Sequence, residues 1–178
     1  MARRILVVGG GFAGLWSAAA AARALDAARV GRGAVEIALV NPDPFHVIRV
    51  RCYEAALDPV RVPLDEVLGP IGVRRIEGTV TGLDAARRIA SVQDATGTAA
   101  ELPWDRLVLA AGSALWRPPL PGLAEHGFDV DTHAGALRLR QHLAGLAASP
   151  EGEAEGSWTA VVIGAGLVGI EIACELPL

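Results

Sequence analysis

Two copies of one glycine pattern constrain this chain more than any other feature. The first is Gly9-Gly-Gly11-Phe-Ala-Gly14 and the second is Gly164-Ala-Gly166-Leu-Val-Gly169. Each follows a short apolar run, residues 4–8 and 160–163, and each opens a stretch suited to a helix. Between a strand and a helix the spacing G-x-G-x-x-G has a physical logic. The first glycine allows a tight turn, the second lets backbone approach a pyrophosphate, and the third lets the helix pack closely on the strand. Unpaired amides at the helix N-terminus then favour phosphate charge. One copy is a weak signal; two copies about 155 residues apart imply two nucleotide sites.

The intervening sequence completes the first unit. Residues 14–28, rich in Ala and Leu, read as a long helix whose exit is marked by Gly31 and Gly33. Residues 35–40 read as a second strand, after which Asn41-Pro-Asp-Pro44 breaks the chain. The stretch 45–68 is mixed, with short helical pieces expected between Pro59, Pro63 and Pro70. Four alternating runs (73–77, 79–83, 88–93 and 98–102), separated by Gly78, a turn at Asp84 and Thr96-Gly97, predict a small antiparallel meander. Residues 107–111 read as a further buried strand ending at Gly112, residues 116–122 as a proline-rich connector and residues 132–148 as a helix. The polar, acidic stretch 149–157 reads as a linker, followed by a strand over 159–163 and a helix over 167–176. The expected fold class is α/β: a Rossmann-type parallel sheet with an inserted antiparallel β-meander, plus the first β-α of a second Rossmann domain.

Composition excludes several alternatives. The 178 residues carry sixteen basic and twenty acidic side chains, a net charge of −4 and only 4% aromatics. That leaves neither a basic field nor a stacking surface for nucleic acid. No run approaches the roughly 18–20 apolar residues of a spanning helix. The start of the chain lacks the pattern of a secretory signal, so a cytoplasmic location is expected. Cys52 and Cys174 stand far apart, outside any metal-type spacing, and are expected to be separate reduced thiols with no metal site.

A third element, Leu102-Pro-Trp-Asp-Arg-Leu-Val-Leu-Ala-Ala-Gly-Ser113, joins the two glycine turns in an order that resembles the pyridine nucleotide–disulfide oxidoreductase superfamily. Within it, Pro44-Phe-His-Val and the following Ile48–Leu57 stretch are similar to type II NADH:quinone oxidoreductases. More closely still, the chain looks like NADH dehydrogenase-like flavoproteins of actinobacterial type. The resemblance implies FAD and NAD(P)H as cofactors, with hydride passing from NAD(P)H to FAD and electrons then to a small-molecule acceptor such as a quinone. It sets Gly9, Gly11, Phe12, Ala13 and Gly14 against the FAD pyrophosphate, the backbone of Val80 near the adenine, and Ala111 and Gly112 beside the flavin's dinucleotide portion. Gly164, Gly166, Leu167 and Val168 match the NAD(P)H pyrophosphate turn, and Glu171 matches a carboxylate near the nicotinamide–flavin junction. It allows a homodimer and a parent protein peripheral to the membrane. Other members, such as ferredoxin reductase-like enzymes, and a non-catalytic nucleotide-binding fragment are the alternatives.

The chain also departs from the family pattern. Where relatives place Asp or Glu against the adenine ribose, this chain has Asn41, which is expected to make a weaker, uncharged contact. No Cys-x4-Cys follows the second strand, so an internal dithiol is excluded, and Cys52 reads as a buried bystander rather than a peroxidase-type thiol. His46 reads as a packing or capping histidine rather than a proton donor to the flavin. The expected organisation is an FAD-binding domain over 1–148, a linker over 149–157 and the start of a truncated NAD(P)-binding domain over 158–178.

Overall fold

The computed structural model describes residues 3–31, 33–148, 150, 154 and 156–176. They form two compact units, one of residues 1–46 and 62–113, the other of residues 47–61 and 114–178.

The first unit is built on four parallel strands. Strand β1 (Arg3–Val8) feeds helix α1 (Phe12–Ala27), which returns the chain to β2 (Val35–Asn41). Two three-residue strands, β3 (Phe45–Val47) and β4 (Arg61–Pro63), pair with each other, and helix α2 (Leu64–Leu68) leads to β5 (Arg74–Glu77). Strands β6 (Thr79–Asp84), β7 (Ile89–Gln93) and β8 (Ala99–Pro103) follow as a meander, then β9 (Arg106–Leu109). The parallel sheet has the order β5-β2-β1-β9, with Leu6 beside Ala38 on one side and Leu107 on the other. The antiparallel sheet is β6-β7-β8.

Strand periodicity divides the core in two. Val7, Ile37 and Leu39 face one way and pack with Ala18 of α1, Leu64 and Leu68 of α2, and Val73. Leu6, Ala38 and Val40 face the other way and pack with Ala90 and Val92 of β7. Helices therefore cover one face and the meander the other, which is why β1 and β2 read as near-continuous apolar runs. The meander strand β7 is covered on one side only and alternates accordingly.

The α/β expectation holds, with two differences in detail. The run at 73–77 is not part of the meander: β5 joins the parallel sheet beside β2, Val40 opposite Ile76. Ile76 packs into the core on the meander side while Arg74 and Arg75 carry charge, so the run mixes polar and apolar residues as a meander strand does. Residues 45–68 contain the expected short helical turns, at Arg49–Arg51, Asp58–Val60 and Leu64–Leu68, but also the paired strands β3 and β4.

The second unit holds helices α3 (Leu123–His126), α4 (His133–Ala147) and α5 (Leu167–Glu175). Thr132 caps α4 by accepting from the Gly135 amide at 3.0 Å. A small core of Cys52, Leu57, Val60 and Ala136 packs with Val47, Ile48, Val130 and Leu137. Arg49 grips both carboxylate oxygens of Asp131, at 2.5 and 2.6 Å. Residues 159–163, expected as a strand, pair with none of the described strands. A parallel strand exists only through a neighbour's ladder, and Val161, at 83% exposed, has none to bury against. The linker expected over 149–157 lies largely outside the described residues.

Two stability outcomes follow. Leu39→Ala, at a fully buried position, should lower the unfolding free energy by about 2–5 kcal/mol in denaturant titration. The second concerns Glu36, whose carboxylate receives Arg4 at 2.7 Å and Arg74 at 3.1 Å. Burial pushes its carboxyl up, but the two guanidiniums outweigh this and hold it below the usual 4.5. A carboxyl depressed in the folded state adds stability above its unfolded value, and that stability is lost as pH falls through the folded value. Glu36→Gln should therefore flatten the loss of stability below pH 4.5, measured as denaturation midpoint against pH.

Candidate functional site

Strand order locates the first candidate site. The chain runs outward from β1 to β2 and β5, then crosses to the other side of β1 at β9. In open α/β sheets ligands bind at the carboxyl ends of the strands where the order reverses, and the first glycine turn lies at that edge. Gly9 donates to the Val40 carbonyl and Ala110 to the Val8 carbonyl, both at 2.8 Å, so the turn is tied to the ends of β2 and β9.

The three glycines of the pattern do different work. Gly9 has φ +103°, and a Cβ there would lie 2.2 Å from the Ala110 carbonyl oxygen. A Cβ on Gly14 would lie 1.8 Å from the Gly9 carbonyl oxygen. Gly11 is unlike both, with φ −72°, open to any residue, and nothing within 4 Å of its absent side chain. Gly11 also begins α1 with no side-chain cap and no acidic residue in the first turn. The opening amides and the positive dipole end are thus left to an anion. Phe12 and Ala13, both exposed, belong to that turn.

The second turn repeats this geometry within the second unit. Gly164 has φ +114°, and a Cβ on Gly169 would lie 2.1 Å from the Gly164 carbonyl oxygen. Gly166 has φ −74°, nothing within 4 Å, and no capping side chain at the head of α5. Leu167 and Val168 follow on an exposed surface, and Glu171 lies partly exposed on the same helix. Glu175, one turn further on, accepts from the Ala55 amide at 3.3 Å.

The other expected site residues of the first unit gather at the same sheet edge. Asn41 ends β2 with its side-chain oxygen accepting from the Gly10 amide at 2.8 Å and its amide donating to the Asp43 carbonyl at 2.6 Å. Buried His46 places Nδ1 at 2.8 Å from the Gly10 carbonyl oxygen, and its ring meets Phe12 edge to face at 4.7 Å. Ala111 and Gly112, exposed after β9, adjoin the Ala110 carbonyl that crowds Gly9. Val80 on β6 turns its side chain into the core beside Val40, and Gly78 just before it donates to the Asn41 carbonyl at 3.2 Å. In the second unit, burial pushes the Cys52 thiol up, as suits a packed bystander, whereas Cys174 is exposed. Sequence reasoning missed Gly10 itself; the signal was a third glycine at a position where the pattern accepts any residue.

A concavity of about 380 Å³ lies at the opposite edge of the sheet, among Arg3, Arg4, Val35, Asp105 and Arg106 at the strands' amino ends. It does not include the glycine turn. Among the described residues no helix is long and apolar enough to cross a membrane.

Residues 3–177 match the family model described as pyridine nucleotide-disulphide oxidoreductase. An NADH dehydrogenase-like protein of Mycobacterium tuberculosis is 55% identical over 175 residues, covering 98% of this chain and 42% of that protein. A demethylphylloquinone reductase of Synechocystis is 30% identical, covering 97% of this chain and 42% of the relative. The chain thus spans under half the length of these relatives. Among solved structures, the fold is shared with NDH2 from Plasmodium falciparum (TM-score 0.78, 15% identity, 98% of this chain and 36% of that one). It is shared also with an NAD-dependent persulfide reductase from A. fulgidus (TM-score 0.76, 24% identity, 98% and 32%).

The division of labour among the glycines is open to test by urea titration. Gly14→Ala should cost about 1–3 kcal/mol, because helix and loop must separate. Gly11→Ala should stay within about 1 kcal/mol of the parent.

Proposed function

Because the chain belongs to the pyridine nucleotide-disulphide oxidoreductase family, we propose that it takes part in an NADH dehydrogenase-like oxidation of NAD(P)H through FAD. In this reading the first glycine turn holds the FAD pyrophosphate and the second that of NAD(P)H. The observation that carries it is the pair Gly11 and Gly166, two open glycines at uncapped helix heads with no intramolecular reason to be glycine.

The residues present fit such a group. The amides of Phe12, Ala13 and Gly14 stand at the positive end of α1 and would share the pyrophosphate charge. Ala111 and Gly112, small and exposed, leave room beside the turn for the rest of the dinucleotide. The Val80 backbone, next to the end of β2, is the candidate adenine contact. On α5 the amides of Leu167 and Val168 play the part that Phe12 and Ala13 play on α1, and Glu171, the first acidic residue of that helix, is the candidate catalytic carboxylate. Bound FAD would supply hydride acceptance from the nicotinamide and onward electron transfer, chemistry for which side chains alone have no equivalent.

A quinone is the acceptor this reading favours, since one relative is named a demethylphylloquinone reductase. The protein is read as cytoplasmic, with functional bounds of 1–148 for FAD and 158–178 for the beginning of the NAD(P) unit, joined by 149–157.

The absorption spectrum of the purified chain with added FAD tests the reading. Retained bands near ~375 and ~450 nm after gel filtration are expected of a protein-held flavin, and Gly11→Ala should abolish them while the protein stays folded. A parent chain that elutes colourless from excess FAD would overturn the assignment of the first turn.

A further inference from the structure

The family-type expectation sets Asn41 against the ribose as a weakened version of an acidic ligand. The geometry points to a different role: we propose that Asn41 and His46 are positioning residues that hold the Gly10 peptide of the phosphate turn from both sides. The inference rests on the FAD reading of that turn.

Gly10 is buried, and its two backbone polar groups meet the side chains of Asn41, at the end of β2, and His46, in β3. Its N–H donates to the Asn41 side-chain oxygen at 2.8 Å, and its carbonyl lies 2.8 Å from His46 Nδ1. A carbonyl can only accept, so His46 carries its proton on Nδ1 and donates. Asn41 is itself held, its amide donating to the Asp43 carbonyl at 2.6 Å, while the Asp43 carboxylate accepts from the Phe45 amide at 2.9 Å. The His46 ring is fixed in turn by its edge-to-face contact with Phe12. Space is equally committed. A Cβ on Gly10 would lie 2.9 Å from Asn41 Cγ and 3.0 Å from Leu64 Cδ1, and Leu64 is fully buried.

With the Gly10 amide engaged by Asn41, the anion is left to the amides that follow Gly11. Those amides keep their direction because the peptide before them cannot rotate without breaking two hydrogen bonds. Holding them in place before binding lowers the ordering cost that binding would otherwise carry. Asparagine suits this task better than aspartate. Aspartate could still accept from Gly10, but it has no proton for the Asp43 carbonyl and sets a second carboxylate beside that of Asp43.

The two roles make opposite forecasts for Asn41→Asp. A ribose ligand regains the acidic group and FAD binds more tightly; a loop holder loses a donor and gains repulsion, so FAD binds more weakly. Residue-resolved amide exchange on the flavin-free chain gives a readout that needs no cofactor. Asn41→Ala should speed Gly10 exchange at least about tenfold, with FAD affinity falling about tenfold, as for one lost buried hydrogen bond. His46→Leu should weaken FAD binding by a similar factor. His46→Asn, which keeps a donor where Nδ1 stood, should remain within about threefold of the parent. Tighter FAD binding by Asn41→Asp overturns the proposal, as does unchanged Gly10 exchange in Asn41→Ala. If the parent chain binds no FAD, the functional reading fails, and Gly10 exchange in Asn41→Ala alone decides whether the clamp exists.

Discussion

How closely α1 can sit on the loop that feeds it governs the rest of the first unit. A Cβ on Gly14 would stand 1.8 Å from the Gly9 carbonyl oxygen, so the helix reaches its seat only because that atom is missing. Once seated, α1 places Ala18 against Val7 and Leu39, and Ala21 and Ala22 pack at the rim of the same cluster. Small side chains let the helix axis approach the sheet, and the sheet's apolar face is buried by proximity rather than by bulk. The same seating aims the head of the helix at the carboxyl edge of β1. The anion site and the core therefore share one geometric cause.

The charged groups play a smaller part. Arg4, Glu36 and Arg74 form a ladder across β1, β2 and β5, and Arg75 joins Asp65 to Glu77. Such partly exposed pairs contribute modestly. Buried apolar area on the two faces of the sheet carries most of the fold.

Much of this was legible before any coordinates. Parallel strands covered on both faces demand near-continuous apolar runs, and residues 5–8 and 37–40 supply them. Helix α4 follows from its apolar residues Leu137, Leu143 and Leu146. The assignment of β5 was not legible, because its short run of Arg74, Arg75, Ile76 and Glu77 mixes polar and apolar residues like a half-covered strand, and periodicity does not say which sheet it joins. Nor was the pairing of β3 with β4, whose ladder joins segments separated by two helical turns and leaves no local pattern. At the site, the glycines declare themselves because each answers a steric demand in the turn. The side chains are harder to read: Asn41 has the position of a ribose ligand in the sequence, yet its hydrogen bonds go to Gly10 and Asp43. Chain position shows which element a polar group ends, not which neighbour claims its lone pairs.

The two glycine turns separate what is local in this fold from what is not. Gly9 and Gly164 take similar positive φ values, Gly14 and Gly169 each crowd the carbonyl of the first glycine of their own turn, and Gly11 and Gly166 start their helices with nearly the same backbone angles. The units around them differ widely, so the turn and the helix head are set by a few residues and their sterics. The strand before each turn is another matter. Residues 3–8 are a strand because β2 and β9 flank them; residues 159–163, equally apolar, carry no ladder among the described residues. A glycine turn can thus offer its amides without a sheet, but the sheet is what fixes their direction. In the first unit that direction is set further by the hold of Asn41 and His46 on Gly10. Among the described residues no side chain makes such a hold on Ala165, an exposed residue in the corresponding position of the second turn.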